Sequence, residues 1–374
     1  MKILQISTAF LPVSLDLRYG GSERIVYLLD QELYSRGLSA GVVAPQGSKP
    51  ISCLYPTILK ATGVDDVLDK SKNNAFTGFA IRADHVAQAI RYANKLEGID
   101  VIHLHDDNVL PFDFLINRPS LITLHSDVDS FWDLSITPSL KKRKSKFVSI
   151  SQSQKKIYES RGHRVDYVVY NGVEENKFSL SELIYPYLLS LGSIQPVKGQ
   201  DKAIEVAKKT GLDLIIAGNI GNSKFFKEEI NPNITHNLTK EKDKLAAYLS
   251  LPSHSPKVVY VGPVNDKQKA PLYSHATAFL MPIEWEEPFG LVIVESMMSG
   301  TPVIAFNRGS IPEVVDDGLT GFIVNNLEEM VNAVENLKIF DRKRVKEISN
   351  NKFGKSKMVD NYIEVYQDII DHKY

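Results

Sequence analysis

Two glutamates eight positions apart give the strongest chemical signal in this chain. Glu287 and Glu295 flank a Pro-x-Gly break, because Pro288 lacks an amide hydrogen and Gly290 tolerates unusual backbone angles. The apolar run 291–298 then predicts a buried helix. We therefore expect Glu287 on a loop and Glu295 inside a helix, with the free N–H groups of the helix N-terminus between them.

A helix N-terminus is a ready anion site, since its N–H groups and its dipole both favour negative charge. A carboxylate accepts hydrogen bonds from two neighbouring hydroxyls. The N–H groups of Gly290 and Leu291 are therefore expected to face phosphate or a sugar hydroxyl, and the two glutamates to face hydroxyls. This combination suits a nucleotide diphosphate sugar.

Composition limits the classes of function. The 374 residues carry a net charge of −1, which argues against a general nucleic-acid binder. The single cysteine, Cys53, cannot form an internal disulfide and fits a reducing compartment. No apolar run approaches the roughly 18 residues that a membrane span needs, and the first apolar residues favour a buried strand over a signal peptide. We expect a cytoplasmic protein.

Short apolar strands alternate with helical patterns in two successive series. The first series runs to about residue 170, and the second begins with the strand 188–192. This pattern predicts an α/β protein with two doubly wound, Rossmann-like parallel sheets. Within it we expect a helix from Ser22, its N-cap, to about Arg36, and helical structure over 341–370. The segment 46–80 has no clear pattern.

Seven segments occur in the order seen in a known family. Together they resemble the family 4 retaining glycosyltransferases (glycosyl transferases group 1), which have the GT-B fold. The segments are 20–23, 124–126, 150–151, 170–173, 192–199, 287–295 and 300–313.

The resemblance implies an enzyme that moves a sugar from a UDP- or GDP-sugar to a glycoconjugate, polysaccharide or lipid-linked acceptor with retained configuration. It implies no cofactor and no catalytic metal. It also implies an acceptor-side domain over 1–175 and a donor-binding domain over 185–350, facing each other across a cleft. The last segment, 351–374, would cross back to the first domain. Synthesis of a bacterial surface polysaccharide, lipopolysaccharide or another glycoconjugate is the expected setting.

Residue roles follow from the same resemblance. Lys198 is expected to contact the diphosphate, where a preorganised positive charge would meet the departing group. Glu287 is expected beside the transferred sugar and Glu295 on the ribose, and His125, at the end of the strand 121–124, near the sugar. His125, Glu287 and Lys198 are thus the predicted catalytic residues. The predicted donor-binding residues are Gly20, Gly21, Ser193, Lys198, Phe289, Gly290, Leu291 and Glu295.

The chain departs from the family pattern at one position. Ser193 stands where an arginine is frequent, which removes a bidentate phosphate partner. Either Lys198 and the helix ends suffice, or another cation such as Arg18 or Arg308 contributes. Two schemes for retention also stay open: a covalent sugar–carboxylate intermediate, and attack from the leaving-group face, which the family analogy favours.

Three further patterns have competing interpretations. Asp127 and Asp129 have the spacing of a metal-binding pair, although the resembled family uses no catalytic metal. His103 and His105 are predicted to end a buried strand rather than to bind a metal. The basic run of Lys141, Lys142, Arg143 and Lys144 is either a solvated turn or a contact with an anionic partner, which would be the inner membrane face or a lipid diphosphate acceptor.

Other functions find less support in the sequence. An NAD-dependent oxidoreductase would need Gly-x-Gly-x-x-Gly after the first strand, and this chain lacks it. A phosphorylase would need a pyridoxal-binding lysine, for which no local signature is present. A non-catalytic nucleotide-sugar binder is favoured only by Ser193.

Overall fold

The computed structural model describes residues 1–15, 20–63, 75–126, 134, 138–252 and 256–372. It divides the chain into two compact units, each with its own seven-stranded sheet. Unit 1 consists of Met1–Gly172 together with Lys355–Tyr374, and unit 2 is the continuous segment Val173–Gly354. Every strand pair in both sheets is parallel, so the predicted α/β class with two doubly wound sheets is confirmed.

The sheet of unit 1 has the order β3-β2-β1-β4-β5-β6-β7. Its strands are β1 Ile3–Ile6, β2 Ser39–Ala44, β3 Leu54–Pro56, β4 Val101–Leu104, β5 Ser120–Leu124, β6 Lys146–Ser149 and β7 Tyr167–Val168. The helices that follow in the first part of the chain are α1 Gly21–Ser35, α2 Ala75–Lys95 and α3 Gln152–Ser160, with 3-10 helices at Asp107–Leu115 and Pro138–Lys142.

The sheet of unit 2 has the order β10-β11-β9-β8-β12-β13-β14. Its strands are β8 Tyr187–Leu191, β9 Asp213–Ala217, β10 His236–Asn237, β11 Val258–Gly262, β12 Ala278–Met281, β13 Val303–Phe306 and β14 Gly321–Val324. Its helices are α4 Gln200–Thr210, α5 Ser223–Phe225, α6 Lys244–Leu249, α7 Asp266–Ser274, α8 Leu291–Met298, α9 Ile311–Val314, α10 Leu327–Glu335 and α11 Arg342–Phe353. Short 3-10 helices lie at Glu175–Lys177 and Pro196–Lys198.

Burial explains why these strands are mostly apolar. Strands β1, β4, β9 and β11 are buried at every residue, as expected for parallel sheets that are covered on both faces. In both sheets the strand order reverses next to the first strand of the unit, between β1 and β4 and between β8 and β12. Doubly wound sheets bind ligands at the carboxyl ends of the strands beside such a reversal.

The last helix, α12 Lys355–Asp371, belongs to unit 1. It contacts α1, and its Asp360 carboxylate accepts a hydrogen bond from Arg36 at 2.5 Å. The hydroxyl of Tyr362 lies 2.6 Å from Thr123 Oγ1 in β5. The helical structure predicted over 341–370 is present as two helices, α11 and α12, because Gly354 leaves the helical conformation (φ −61°, ψ 147°) between them.

Three other local predictions have clear outcomes. The helix of residues 291–298 is confirmed as α8. The prediction that Ser22 caps α1 is wrong, because the helix begins at Gly21 and the Ser22 hydroxyl donates to Glu23 Oε2 at 3.0 Å. The segment 46–80, which had no clear pattern, contains β3 and the start of α2.

Among the residues that the structure describes, no helix has the length and hydropathy to cross a bilayer.

Candidate functional site

The predicted residues Lys198 and Glu287 form an ion pair in unit 2. Lys198 Nζ donates to Glu287 Oε2 at 2.7 Å, and the indole N–H of Trp285 donates to the same oxygen at 3.0 Å. The ammonium lies 4.4 Å from the centroid of the Trp285 ring, within range of a cation–π interaction. Three side chains thus hold one another in a partly buried cluster after β12.

A glycine brings the Lys198 loop against the loop after β12. Lys198 ends the 3-10 helix Pro196–Lys198, and Gly199 follows with φ +68°. A Cβ at Gly199 would lie 2.0 Å from the carbonyl oxygen of Pro282, so only glycine fits this approach. Glu284 N–H also donates to the Val197 carbonyl at 2.9 Å. The two loops follow β8 and β12, which flank the reversal of strand order in this sheet.

A second glycine supports the backbone of Glu287. The N–H of Ser310 donates to the Glu287 carbonyl at 2.9 Å. A Cβ on Gly309, whose φ is +54°, would lie 2.3 Å from the Glu287 nitrogen. The loop after β13 therefore fixes Glu287 by backbone contact. Arg308, one of the alternative cations, is exposed on this loop, and Arg18 lies outside the described residues.

The N-terminus of α8 begins as the sequence predicts. Gly290 is the N-cap residue with φ +84° and has no side chain with which to cap the helix. Leu291, the first residue of α8, is partly exposed, so this helix end reaches the surface of unit 2. The Phe289 side chain packs in the interior, edge-on to Phe353 with ring centroids 5.7 Å apart. The backbone here suits an anion, whereas the Phe289 ring is part of the core.

Glu295 lies inside α8 and is 4 % exposed. Its Oε1 accepts a hydrogen bond from Lys269 Nζ at 2.5 Å, and its Oε2 accepts one from the Tyr273 hydroxyl at 3.3 Å. Lys269 also pairs with Asp266 Oδ1 at 3.0 Å, and Asp266 Oδ2 pairs with Lys177 at 2.5 Å. Positive and negative groups therefore alternate from the start of unit 2 to the middle of α8.

Lys269 and Tyr273 are the residues that the sequence reasoning missed. They lie four positions apart and so share one face of α7. Pro271 lies inside this helix and conceals its pattern, although Asn265 and Gln268 form a capping box that marks its start. The capping signal was the local evidence that could have found α7.

Ser193 does not present a charge to this site. A Cβ built on Gly221 would lie 2.2 Å from Ser193 Oγ, so the hydroxyl lies directly against that glycine. The Ser193 carbonyl accepts a hydrogen bond from Gln200 Nε2 at 3.1 Å. A hydrogen bond from the first residue of α4 thus fixes the loop after β8. The basic side chain that this loop contributes to the cluster with Glu287 and Trp285 is that of Lys198.

In unit 1, His125 follows β5 and belongs to a row of histidines. His105 Nδ1 lies 2.9 Å from His125 Nε2, and the His103 and His105 rings have centroids 4.0 Å apart. His103 Nδ1 lies 2.7 Å from the Tyr366 hydroxyl of α12. Burial lowers the pKa of His125 to about 4 and lowers the pKa values of His103 and His105 well below the ordinary range. Neutral imidazoles at pH 7 suit hydrogen bonding to hydroxyls.

The prediction that His103 and His105 end a buried strand is confirmed. Asp127 and Asp129 lie outside the described residues. Within the described ranges, no group of three or more His, Cys, Asp or Glu side chains has the arrangement of a metal site.

The two glycines predicted to bind the donor lie at the start of α1. Gly20 has φ +105° and is the N-cap of this helix, whose first residue is Gly21. Glu23 in the first turn is 1 % exposed and accepts a hydrogen bond from Thr8 Oγ1 at 2.5 Å. This carboxylate links the loop after β1 to the start of α1.

Buried polar atoms collect where the strand order of unit 1 reverses. Both side-chain polar atoms of Gln5, Ser7 Oγ and His105 Nε2 find no hydrogen-bond partner in the described part of the chain, although each residue is at most 1 % exposed. They lie in or just after β1 and β4, the neighbouring strands at the reversal. Buried polar groups are normally satisfied, so this cluster suits bound hydroxyls or water.

Two family models match the chain. "Glycosyl transferases group 1" matches residues 173–353, and "Glycosyltransferase Family 4" matches residues 19–177. A 41.2 kDa protein in the cps region of Klebsiella pneumoniae is 41% identical over 117 residues, which cover 29% of this chain and 32% of that protein. The D-inositol 3-phosphate glycosyltransferase of Mycobacterium tuberculosis is 31% identical over 150 residues, which cover 39% of this chain and 28% of the relative. The chain thus spans about a third of the length of the curated relatives it matches.

The fold also has solved counterparts. The structure of Anabaena Alr3699/HepE in complex with UDP and glucose has a TM-score of 0.69 at 18% identity, and the alignment covers 98% of this chain and all of that one. The fold is therefore GT-B. With the two family models spanning residues 19–353 in sequence order, the chain belongs to the family 4, or group 1, glycosyltransferases.

Proposed function

We propose that this protein transfers a sugar from a nucleotide diphosphate sugar to a hydroxyl-bearing acceptor, with retention and without a catalytic metal. The observation that carries the proposal is the Lys198–Glu287 ion pair, 2.7 Å long, next to the glycine-capped N-terminus of α8. A cation and helix N–H groups lie at the strand-order reversal of unit 2, where a diphosphate is expected to bind.

Lys198 is expected to stabilise the leaving diphosphate. Its ammonium has three N–H donors, and its bond to Glu287 leaves others for phosphate oxygens. Negative charge grows on the departing group in the transition state, so a cation already fixed by Glu287 and Trp285 needs little reorganisation. Glu295 would accept hydrogen bonds from the ribose hydroxyls while Lys269 supplies its counter-charge.

For retention we favour attack from the leaving-group face. The bond from the sugar carbon C1 to the phosphate oxygen breaks, and the acceptor oxygen bonds to C1 on the same face. The acceptor proton passes to the departing phosphate. Glu287 is a poor nucleophile for the covalent alternative, because its Oε2 already accepts hydrogen bonds from Lys198 and Trp285. His125 is assigned a polar contact to the transferred sugar.

The donor is proposed to be a UDP- or GDP-sugar and the acceptor a glycan, polysaccharide or lipid-linked sugar on unit 1. The relatives support this choice: the Anabaena protein was solved with UDP and glucose, and the Klebsiella protein is from a cps region. A cytoplasmic location is part of the proposal.

A panel of nucleotide diphosphates tests the proposal by thermal shift, followed by a donor-hydrolysis assay with each sugar of the responding base. We expect selective stabilisation by UDP or GDP and turnover that persists in EDTA. No stabilisation by any nucleotide diphosphate would contradict the proposal, and loss of turnover in EDTA would contradict its metal independence.

A non-catalytic nucleotide-sugar binder is the second candidate, favoured by Ser193 at a position where an arginine is frequent. It predicts that UDP or GDP binds but that neither hydrolysis nor transfer exceeds the level of an inactive control, the variant Lys198→Ala, which lacks the proposed phosphate-binding ammonium.

A further inference from the structure

Large apolar side chains are exposed together on the 3-10 helix Asp107–Leu115 of unit 1. Phe112, Phe114 and Leu115 are 46 %, 56 % and 45 % exposed, while Asp113 between them is buried. Single exposed apolar residues are ordinary on protein surfaces, but a contiguous group marks an interaction site.

The buried carboxylate of Asp113 fastens a basic segment to this helix. Its Oδ2 accepts hydrogen bonds from the backbone N–H groups of Lys144 at 2.7 Å and Ser145 at 2.8 Å. Lys144 Nζ in turn donates to the Phe114 carbonyl at 2.9 Å. The helix Pro138–Lys142, which carries Lys141 and Lys142, also contacts Asp107–Leu115. The apolar group and the lysines therefore belong to one connected surface.

The residues of the basic run differ in whether a binding partner could contact them. Arg143 stacks on Phe147 at 3.7 Å from the ring centroid and donates to the Ser145 carbonyl at 2.6 Å. It also pairs with Asp166 at 3.3 Å, and burial lowers its pKa. Arg143 is thus a structural residue, whereas Lys141 and Lys142 are exposed.

We propose that Phe112, Phe114, Leu115, Lys141 and Lys142, here termed the aromatic–basic surface, bind the surface of a bilayer that contains anionic lipid. Phenylalanine and leucine can enter the boundary between headgroups and acyl chains, while lysines reach lipid phosphates. The chain as a whole has a net charge of −1, so attraction to an anionic bilayer depends on local charge. The lysines select an anionic partner, and the adjacent apolar side chains select one with a hydrocarbon interior.

The experiment is flotation of the full chain with vesicles of phosphatidylcholine alone or with about one third phosphatidylglycerol. We expect recovery with the anionic vesicles only, and weaker recovery when salt rises from about 50 mM to about 300 mM. Lys141→Glu/Lys142→Glu should lower the partition coefficient at least about 25-fold, since each basic residue near the surface contributes about fivefold. Phe112→Ser/Phe114→Ser should lower it at least about tenfold.

Matched controls separate this surface from general charge and hydropathy. Lys224→Glu/Lys227→Glu changes the net charge equally on unit 2, and Leu319→Ser/Ile339→Ser removes two exposed apolar side chains there. Both controls should float like the unchanged protein. Circular dichroism melts check that every variant is folded.

Three outcomes would overturn the proposal: equal recovery with neutral and anionic vesicles, equal recovery of the surface variants and the unchanged protein, or equal loss in the controls. A dimer in sedimentation that Phe112→Ser/Phe114→Ser dissociates would assign the surface to a second copy instead. Flotation requires no nucleotide-sugar donor. A negative flotation result would therefore not affect the proposed transferase function, and a negative nucleotide panel would not affect the proposed membrane binding.

Discussion

Replacement of Lys269 by methionine isolates the buried charge pair beneath the proposed ribose site. The substitution keeps a similar length but removes the ammonium that lies 2.5 Å from Glu295 Oε1. At an effective dielectric constant of about 20, charges at this separation attract by about 6–7 kcal/mol. Rehydration of Glu295 recovers little of this energy, because the residue is 4 % exposed.

The expected loss in the free energy of unfolding is about 3–5 kcal/mol, the usual cost of removing one member of a buried pair. For a unit of this size, that loss lowers the melting temperature by roughly 6–20 °C. Lys269→Met/Glu295→Gln removes both charges and should be more stable than Lys269→Met alone. Lys209→Met is the surface control, since Lys209 and Glu205 are each 53% exposed and their pair contributes about 0–1 kcal/mol.

Guanidinium titrations of the four proteins measure these differences. A loss below about 1 kcal/mol for Lys269→Met, or a double variant less stable than Lys269→Met, would refute the reasoning. Calorimetric affinities for UDP and 2′-deoxy-UDP add a second readout. If Lys269 positions Glu295 on the ribose, the preference for UDP should shrink in Lys269→Met, whereas a purely structural role would leave that ratio unchanged.

Three further changes test the candidate site. Lys198→Ala should lower turnover at least about tenfold with the fold intact, because it removes a charge-assisted contact to the leaving diphosphate; unchanged turnover would show that another cation acts there. Gly309→Ala should destabilise the protein more than Gly318→Ala in thermal melts: both glycines have positive φ, but only the first places a Cβ against the Glu287 backbone. Stability should fall as pH drops from about 6.5 towards 4, because the unfolded chain binds a proton at His125 that the folded chain, with its lowered pKa, does not. His125→Gln should flatten that slope in denaturant titrations, and an unchanged slope would contradict the burial argument.

The local sequence predicted those helices and strands whose start signals and apolar pattern lie together in one short segment. The Pro-x-Gly break and the apolar run that follows it predicted a helix that begins near residue 290. In the structure Gly290 is the N-cap of α8 and Leu291 is its first residue. The Lys198–Glu287 contact spans 89 positions, and the family resemblance predicted the two residues for one site rather than their direct pairing.

Other features depend on tertiary contacts that the local sequence does not encode. The partner of Glu295 is Lys269, 26 positions away on a helix whose pattern Pro271 interrupts. The basic run suggests that Arg143 is a surface cation, yet its guanidinium stacks on the Phe147 ring and forms an ion pair with Asp166. The break at Gly354 lies within the segment 341–370 predicted to be helical, and the helices on either side of it belong to different units.

The discontinuity of unit 1 has a consequence for how the protein is made. The residues of unit 2, Val173–Gly354, are synthesised as one continuous segment. Unit 2 can therefore fold on the nascent chain before α12 has been synthesised. Until α12 has been made, unit 1 lacks Tyr362 and Tyr366, whose hydroxyls lie against Thr123 and His103. Loss of α12 by premature termination would therefore destabilise unit 1, most of which precedes unit 2 in the chain.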